Sequence, residues 1–276
     1  MISLASSAGG CNRLSSRRSV VVTEATALNC ISRTASSIVQ KSKNTQQQKQ
    51  KQKQKHQRFF FPRTDRQVQY ANLLGSPIAS ESSPDIIVAV GPAGTSKTLG
   101  AVLIGLEKLV NGEVDRLVLT RPAVSADEEL GFLPGTLDDK MSVWLLPVVD
   151  SLRVCLQEDE VERLMKSRAV EIGSLSHMRG RTFRNSFVIV DECQNTTPAQ
   201  MLMLLTRIGD GSRFVFTGDP QQHDRGAEVS GVEDFVRRYY NCGEEKSSRA
   251  VQLFEFDRTD VQRHPTISTV LSMYDH

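Results

Sequence analysis

Eight consecutive residues at 91–98 have the spacing of a phosphate-binding loop. They follow the pattern G-x-x-x-x-G-K-[ST], except that serine replaces the second glycine. Glycines let the backbone wrap around a phosphate, and the start of the following helix attracts its negative charge. We expect ATP to bind here, with Lys97 reaching the β- and γ-phosphates and Thr98 binding Mg²⁺. The expected nucleotide-binding residues of this segment are Gly91, Pro92, Ala93, Gly94, Thr95, Ser96, Lys97, Thr98 and Leu99.

The serine in this loop is its one departure from the pattern. If position 96 requires a positive φ, the Cβ of Ser96 costs about 1 kcal/mol. We expect nucleotide binding to survive, because Ser-Lys also occurs in some working P-loops. The alternative is a nucleotide-responsive regulatory module that hydrolyses little ATP. A glycine-rich turn that binds nothing is disfavoured, since the loop lies between a strand pattern and a helix pattern.

An acidic pair forms the second candidate site. Four apolar residues at 187–190 end in Asp191 and Glu192, which is a Walker B pattern. We expect Asp191 to hold Mg²⁺ through its water shell and Glu192 to orient and deprotonate the attacking water. Charged residues also end many ordinary strands, so the pattern gains its meaning from the P-loop upstream. Phosphoryl transfer needs mainly positioning and charge neutralisation, and the two motifs together supply both.

Two further residues could complete a catalytic site. Gln222 ends a G-D-x-x-Q segment, in the place of the glutamine that senses the γ-phosphate in superfamily-1 helicases. Arg263 precedes the last helix pattern, where it could stabilise transition-state charge in its own chain or in a neighbouring subunit. The alternatives are an ordinary G-D-P turn for Gln222 and a surface or helix-capping role for Arg263.

These motifs need elements that position them, and the chain alternates between apolar runs and helical periodicity. That order predicts an α/β fold with a mostly parallel sheet, helices on both faces, and ligands at the carboxyl ends of the strands. The expected strands are 86–90, 116–120, 169–172, 186–190, 213–216 and 251–256. The expected helices are 97–110, 143–156, 159–165, one opening at Pro198, 232–240 and 266–274.

The N-terminal part differs in kind from the rest. Residues 1–64 hold twelve lysines and arginines but one acidic residue, Glu24, and 46–57 consist almost wholly of Gln and Lys. We expect 1–60 to be a disordered basic extension, with an organelle transit peptide and a linker, before a domain at 61–276. The linker could also tether nucleic acid. This predicts a mitochondrion or plastid, and otherwise the cytoplasm.

Composition excludes several classes of protein. The chain has five cysteines without a C-x-x-C pair, which disfavours a metal ribbon or a disulfide framework and fits a reducing compartment. It has no run of eighteen apolar residues, so no membrane-spanning helix is expected.

Together the motifs resemble the PhoH-like family of P-loop ATPases. The segments that carry the resemblance are 64–70, 119–124, 129–135, 147–150, 179–182, 190–197 and 263–265. The resemblance implies a RecA-like core similar to superfamily-1 helicases, with Gln67 and Tyr70 near the adenine. It also implies an ATPase that acts on RNA and often forms oligomeric rings. The departures from the family pattern are Ser96 for Gly and Cys193 for Ala.

Three arginines are the candidate contacts for nucleic acid. Arg121 ends the second expected strand, where RecA-like helicases contact a nucleic acid backbone, and Arg179 and Arg181 precede the Walker B strand. Forked guanidinium donors suit phosphate. Internal pairing with acids of the segment 127–129 is the alternative. The leading hypothesis is therefore an RNA-linked, Mg²⁺-dependent ATPase that acts as a homo-oligomer. A small-molecule kinase is less consistent with the glutamine motif.

Overall fold

The computed structural model describes residues 62–122, 146, 149–222, 229–242 and 250–262. Several sequence predictions lie outside these ranges. They are the extension at 1–60, the family motif at 129–135, the acids at 127–129, Arg263 and the helix at 266–274. Of the helix expected at 143–156, residues 146 and 149–156 are described, and of these 146 and 149–155 are helical.

The described strands form one six-stranded sheet in which every neighbouring pair is parallel. The strands are β1 Ile86–Val90, β2 Arg116–Arg121, β3 Val170–Ser174, β4 Ser186–Val190, β5 Arg213–Gly218 and β6 Val251–Glu255. Their spatial order is β3-β2-β4-β5-β1-β6. β1, β4 and β5 are buried along their whole length, as continuous apolar runs in a covered parallel sheet should be. The α/β RecA-like prediction is confirmed.

Besides the helical residues 149–155, five helices pack on this sheet in the described ranges. They are α1 Asp65–Gly75, α2 Lys97–Val110, α3 Glu158–Lys166, α4 Pro198–Leu205 and α5 Gly231–Asn241. α2 has the predicted bounds, and the bounds of α3 and α5 differ from the prediction by one residue at each end. α1 was not predicted as a helix. Its signal is present, however, since Thr64 and Gln67 form a capping box that starts it.

Alternating side chains of each strand point to opposite faces, and each face has its own apolar cluster. Ile87 and Ala89 of β1 pack with α1 and α2 on one face. Ile86 and Val88 of the same strand pack in the cluster that includes residues of α4 and α5. Slipping β1 by one residue would exchange the two sets, so burial on both faces fixes the register.

The strand order determines which loops meet. β5 lies between β1, which leads into the P-loop, and β4, which leads into the acidic pair. Because parallel strands end at the same edge of a sheet, three successive loops converge there. They are the P-loop, the residues after β5 and the residues after β4.

A buried arginine fixes α1 to the opposite end of β5. Arg213 has no exposed surface, and its guanidinium donates to the carbonyls of Leu74, Ser76, Pro77 and Pro84 at 2.8 to 3.1 Å. Carbonyls at a helix C-terminus have no partner within the helix and carry partial negative charge. Burial lowers the pKa of Arg213 to about 10, so the group is charged at neutral pH. The clamp therefore replaces water at the end of α1.

Two findings on the part of the chain that the structure describes concern its helices and its cysteines. No helix there is long and apolar enough to cross a membrane. The cysteines there, Cys155, Cys193 and Cys242, are free. Cys193 is buried, as expected for a small apolar residue, and Cys155 is partly buried.

Candidate nucleotide-binding site

The P-loop has the backbone conformation that its glycines indicate. Gly91 has φ +140°, and a Cβ at this position would lie 2.5 Å from the carbonyl oxygen of Phe256. A side chain there would therefore collide with the backbone that follows β6. Ser96 has φ +65°, so the position does require the left-handed region, and the serine carries the strain expected from its Cβ.

Lys97 is folded over the loop. Its ammonium group donates to the carbonyls of Gly91 and Pro92 at 2.7 and 2.8 Å and to the hydroxyl of Thr95 at 3.2 Å. Burial lowers the pKa of Lys97, against the opposing attraction of Asp219, Glu192 and Asp191. Within the described ranges no carboxylate lies within 4 Å of this ammonium group. An anion such as a terminal phosphate would supply the missing charge.

The hydroxyl of Thr98 lies next to the first acid of the Walker B pair. Thr98 Oγ1 donates to Asp191 Oδ1 at 2.5 Å, and Thr217 Oγ1 donates to the same oxygen at 2.8 Å. Thr217 belongs to β5, and the sequence analysis assigned it no role. Only the strand order, with β5 between β1 and β4, brings Thr217 close to Thr98 and Asp191. The three side chains bring hard oxygen ligands together at the strand ends.

This donor set fits Mg²⁺. Among the described residues no group of three or more His, Cys, Asp or Glu could hold a metal. Mg²⁺ does not need such a cage, because it keeps several waters and binds through one or two carboxylates together with substrate phosphates. Thr98 and Asp191 are thus the residues that would hold the ion.

Glu192 has a constrained backbone and two side-chain partners. Its φ of +53° is uncommon for a residue with a Cβ. Its Oε2 accepts a hydrogen bond from Gln194 Nε2 at 2.5 Å, and its Oε1 lies 3.5 Å from Arg121 Nη2. The second acid is therefore held by neighbours on both of its oxygens.

Gln194 connects the acidic pair to the loop after β5. It is 3% exposed, its Oε1 accepts from the amide of Asp219 at 3.1 Å, and its Nε2 also donates to the carbonyl of Gln222 at 3.1 Å. The sequence analysis assigned no role to Gln194, although its position two residues after Glu192 could have indicated a contact with the acidic pair. The structure brings Gln222 to the site through this backbone contact, and its side chain is exposed. Its function as a γ-phosphate sensor stays a prediction.

The two residues expected near the adenine lie behind the P-loop. Gln67 is buried and donates to the carbonyls of Thr95 and Asp260 at 3.1 and 3.3 Å. Tyr70 is fully buried, its hydroxyl donates to the carbonyl of Lys97 at 3.3 Å, and its ring packs against Phe256. Both side chains support the loop from the protein interior. Direct contact with adenine stays a prediction.

The end of the described chain closes on the same loop. The buried carboxylate of Asp260 accepts from the Thr64 hydroxyl at 2.6 Å, and the amide of Gln262 donates to the carbonyl of Gly94 at 2.9 Å. The turn at Arg258–Asp260 therefore fastens the start of α1 and the P-loop together.

The three candidate arginines for nucleic acid differ in their surroundings. Arg181 makes a bidentate ion pair with Glu171, and its guanidinium lies 4.6 Å from the ring centroid of Phe183. Arg179 is exposed. Arg121 faces inward and pairs with Glu192, so one candidate contact for nucleic acid touches the candidate catalytic acid.

Comparison with known proteins agrees with the motifs and the geometry. The family model described as PhoH-like protein matches residues 60–275. This chain belongs to the PhoH-like family. PhoH-like proteins are a P-loop family whose members generally bind ATP, so family membership supports nucleotide binding at the loop after β1.

Individual PhoH-like relatives are similar over most of this chain. A PhoH-like protein of Bacillus subtilis is 42% identical over 72% of this chain and 60% of its own length. A PhoH-like protein of Synechocystis is 40% identical over 77% of this chain and 61% of its own length. Protein PhoH of Escherichia coli is 34% identical over 77% of this chain and 57% of its own length. The matched part of this chain thus spans about three fifths of these relatives.

Proposed function

We propose that this protein is a Mg²⁺-dependent ATPase that acts on RNA or is regulated by it. The observation that carries the ATPase half is the convergence of Lys97, Thr98 and Asp191 at one edge of the sheet. The Thr98 hydroxyl contacts Asp191 directly, and the Lys97 ammonium is buried among neutral acceptors. A phosphate chain with a divalent cation would satisfy both groups.

The residues divide the work of hydrolysis between them. Lys97 would leave the carbonyls of Gly91 and Pro92 and bind the β- and γ-phosphates. Its positive charge would there offset the negative charge that develops as the γ-phosphate is transferred. Mg²⁺, when bound, neutralises phosphate charge beside Thr98 and Asp191. Glu192 accepts the proton of the attacking water, and Gln194 keeps its carboxylate in place. The P-loop amides and the start of α2 provide the remaining positive potential.

The RNA half of the proposal is supported by the position of the arginines. Arg121 ends β2, and Arg179 follows the 3-10 turn after β3, on the strand-end side that carries the P-loop. The described ranges contain one RecA-like core and no second motor domain. Separation of nucleic acid strands would therefore require a homo-oligomer. Sedimentation with and without ATP tests this point, and a monomer in both conditions would argue against helicase action.

The central test is phosphate release by the full chain with Mg-ATP, with and without mixed RNA. The Lys97→Ala variant is expected to lower turnover about a hundredfold or more, because it removes a charge that faces the transferred phosphate. Lys108→Ala is unsuitable as a control, since Lys108 is buried and bonded to α1. Lys166→Ala, in an exposed ion pair, is the matched control. Turnover that survives Lys97→Ala would contradict the proposal.

A second candidate function rests on Ser96. Its φ of +65° shows that the substitution of serine for glycine strains the loop. If this strain slows hydrolysis, a regulator that binds ATP but hydrolyses little of it is the better description. In that case Ser96→Gly is expected to raise turnover about tenfold, which corresponds to about 1.4 kcal/mol off the barrier. Single-turnover hydrolysis with bound ATP measures this, and an unchanged rate would rule out the regulator.

A further inference from the structure

The two donors that hold Glu192 differ in how firmly they are fixed. Gln194 is buried, and two other hydrogen bonds tie its amide to the residues after β5. Arg121 has a side chain that is 21% exposed, and its contact with Glu192 is long, at 3.5 Å. The carboxylate is thus fixed on one oxygen and loosely restrained on the other.

Arg121 also has unused hydrogen-bonding capacity. Its Nε atom is buried and has no hydrogen-bond partner among the described residues. A guanidinium group offers five N–H donors in a fork that matches phosphate oxygens, and a buried unpaired donor is unfavourable. Within the described ranges, the pair with Glu192 therefore leaves the Arg121 Nε donor without a partner.

The next strand adds polar groups at the same level of the sheet. Ser174 is the Cα partner of Arg121 in the pairing of β2 with β3. Its hydroxyl lies 2.6 Å from Ser176 Oγ and 3.0 Å from His177 Nδ1. Hydroxyl and imidazole groups on the strand next to Arg121 and on the turn after it can bind a phosphodiester together with a guanidinium.

From these contacts we infer that Arg121 restrains Glu192 until an RNA phosphate at the ends of β2 and β3 draws the guanidinium away. Arg121 cannot give its donors fully to a phosphate and keep the contact with Glu192. Release leaves Glu192 Oε1 free to accept the proton of the attacking water, while Gln194 still positions the other oxygen. Arg121 is thus a positioning residue that links RNA binding to hydrolysis. This inference rests on the proposed function, because it names how RNA would act on the same site.

The experiment measures steady-state ATP turnover by the full chain, with and without poly(U) RNA. Arg121→Gln removes the charge and keeps much of the side-chain size. It is expected to raise the RNA-free turnover number about fivefold, the factor for loss of a part-exposed ion pair, with little change in KM. Poly(U) should then stimulate the variant much less than the wild type. Arg121→Lys keeps a charge and should give an RNA-free rate nearer to that of the wild type.

Controls separate this result from damage to the fold. Arg163→Gln breaks an exposed ion pair on α3 with Asp159 and should match the wild type in both conditions. Thermal midpoints and binding of a non-hydrolysable ATP analogue check that Arg121→Gln is folded and binds nucleotide.

Each remaining outcome has a distinct meaning. An RNA-free rate of Arg121→Gln that is unchanged or lower would overturn the restraint. A raised rate that poly(U) still stimulates as strongly as in the wild type would overturn the link to RNA. If poly(U) leaves the wild-type rate unchanged, the RNA half of the proposed function fails, and a raised rate in Arg121→Gln would still support the restraint.

Discussion

Replacing Glu192 with glutamine is expected to lower ATP turnover by about 10²- to 10⁴-fold while ATP still binds. The amide has nearly the same shape as the carboxylate but cannot take a proton from the attacking water, and a positioned base contributes a factor of that size. Its oxygen can still accept the hydrogen bond from Gln194. Single-turnover hydrolysis with radiolabelled ATP measures the rate, and equilibrium binding of ATP measures retention.

The matched control is Glu162→Gln, which changes an exposed glutamate in an ion pair with Lys166 on α3. It should leave both the rate and the affinity unchanged. If Glu192→Gln keeps a rate within a few-fold of the wild type, the base lies elsewhere and the role assigned to the second acid is wrong. If ATP no longer binds, Glu192 instead supports the nucleotide pocket.

Replacing Arg213 with methionine is expected to lower the free energy of unfolding by about 3–5 kcal/mol. Methionine fills much of the volume but leaves the carbonyls of Leu74 and Pro77 without the guanidinium donor, while Lys108 still donates to the carbonyl of Ser76. Urea unfolding of the full chain, followed by circular dichroism, measures the change. ATP affinity should also decrease, since α1 carries Gln67 to the back of the P-loop.

Arg163→Met is the control for this experiment, because it removes an exposed arginine whose ion pair contributes little. Its free energy of unfolding should stay within about 0.5 kcal/mol of the wild type. A loss of less than 1 kcal/mol in Arg213→Met would show that water replaces the guanidinium at the end of α1 and that the clamp adds little to stability.

The strands and the P-loop could be predicted because their signals are local. The apolar runs at 86–90 and 186–190 have the bounds of β1 and β4, and the helix after the P-loop begins at Lys97 as expected. The sequence analysis raised a positive φ at position 96 as a condition, and the backbone has that conformation. Such features depend on a few neighbouring residues, and tertiary packing has not altered them.

The contacts between loops could not be predicted in the same way. Thr217 reaches Asp191 only because β5 lies between β1 and β4, and strand order depends on the whole sheet. Arg121 was expected to meet nucleic acid or the acids at 127–129, and its contact with Glu192 depends on β2 being next to β4. Helix α1 differs, because its signal was local and still was not used. Thr64 and Gln67 belong both to the family segment 64–70 and to the capping box that starts the helix.

The closure of the turn at Arg258–Asp260 on the P-loop has a consequence for how strain in that loop can spread. Thr64 is hydrogen-bonded to Asp260, and Gln262 is hydrogen-bonded to Gly94 of the phosphate-binding backbone. A change of strain in the loop between nucleotide states would therefore pull directly on the start of α1 and on the segment 260–262, without passing through the sheet.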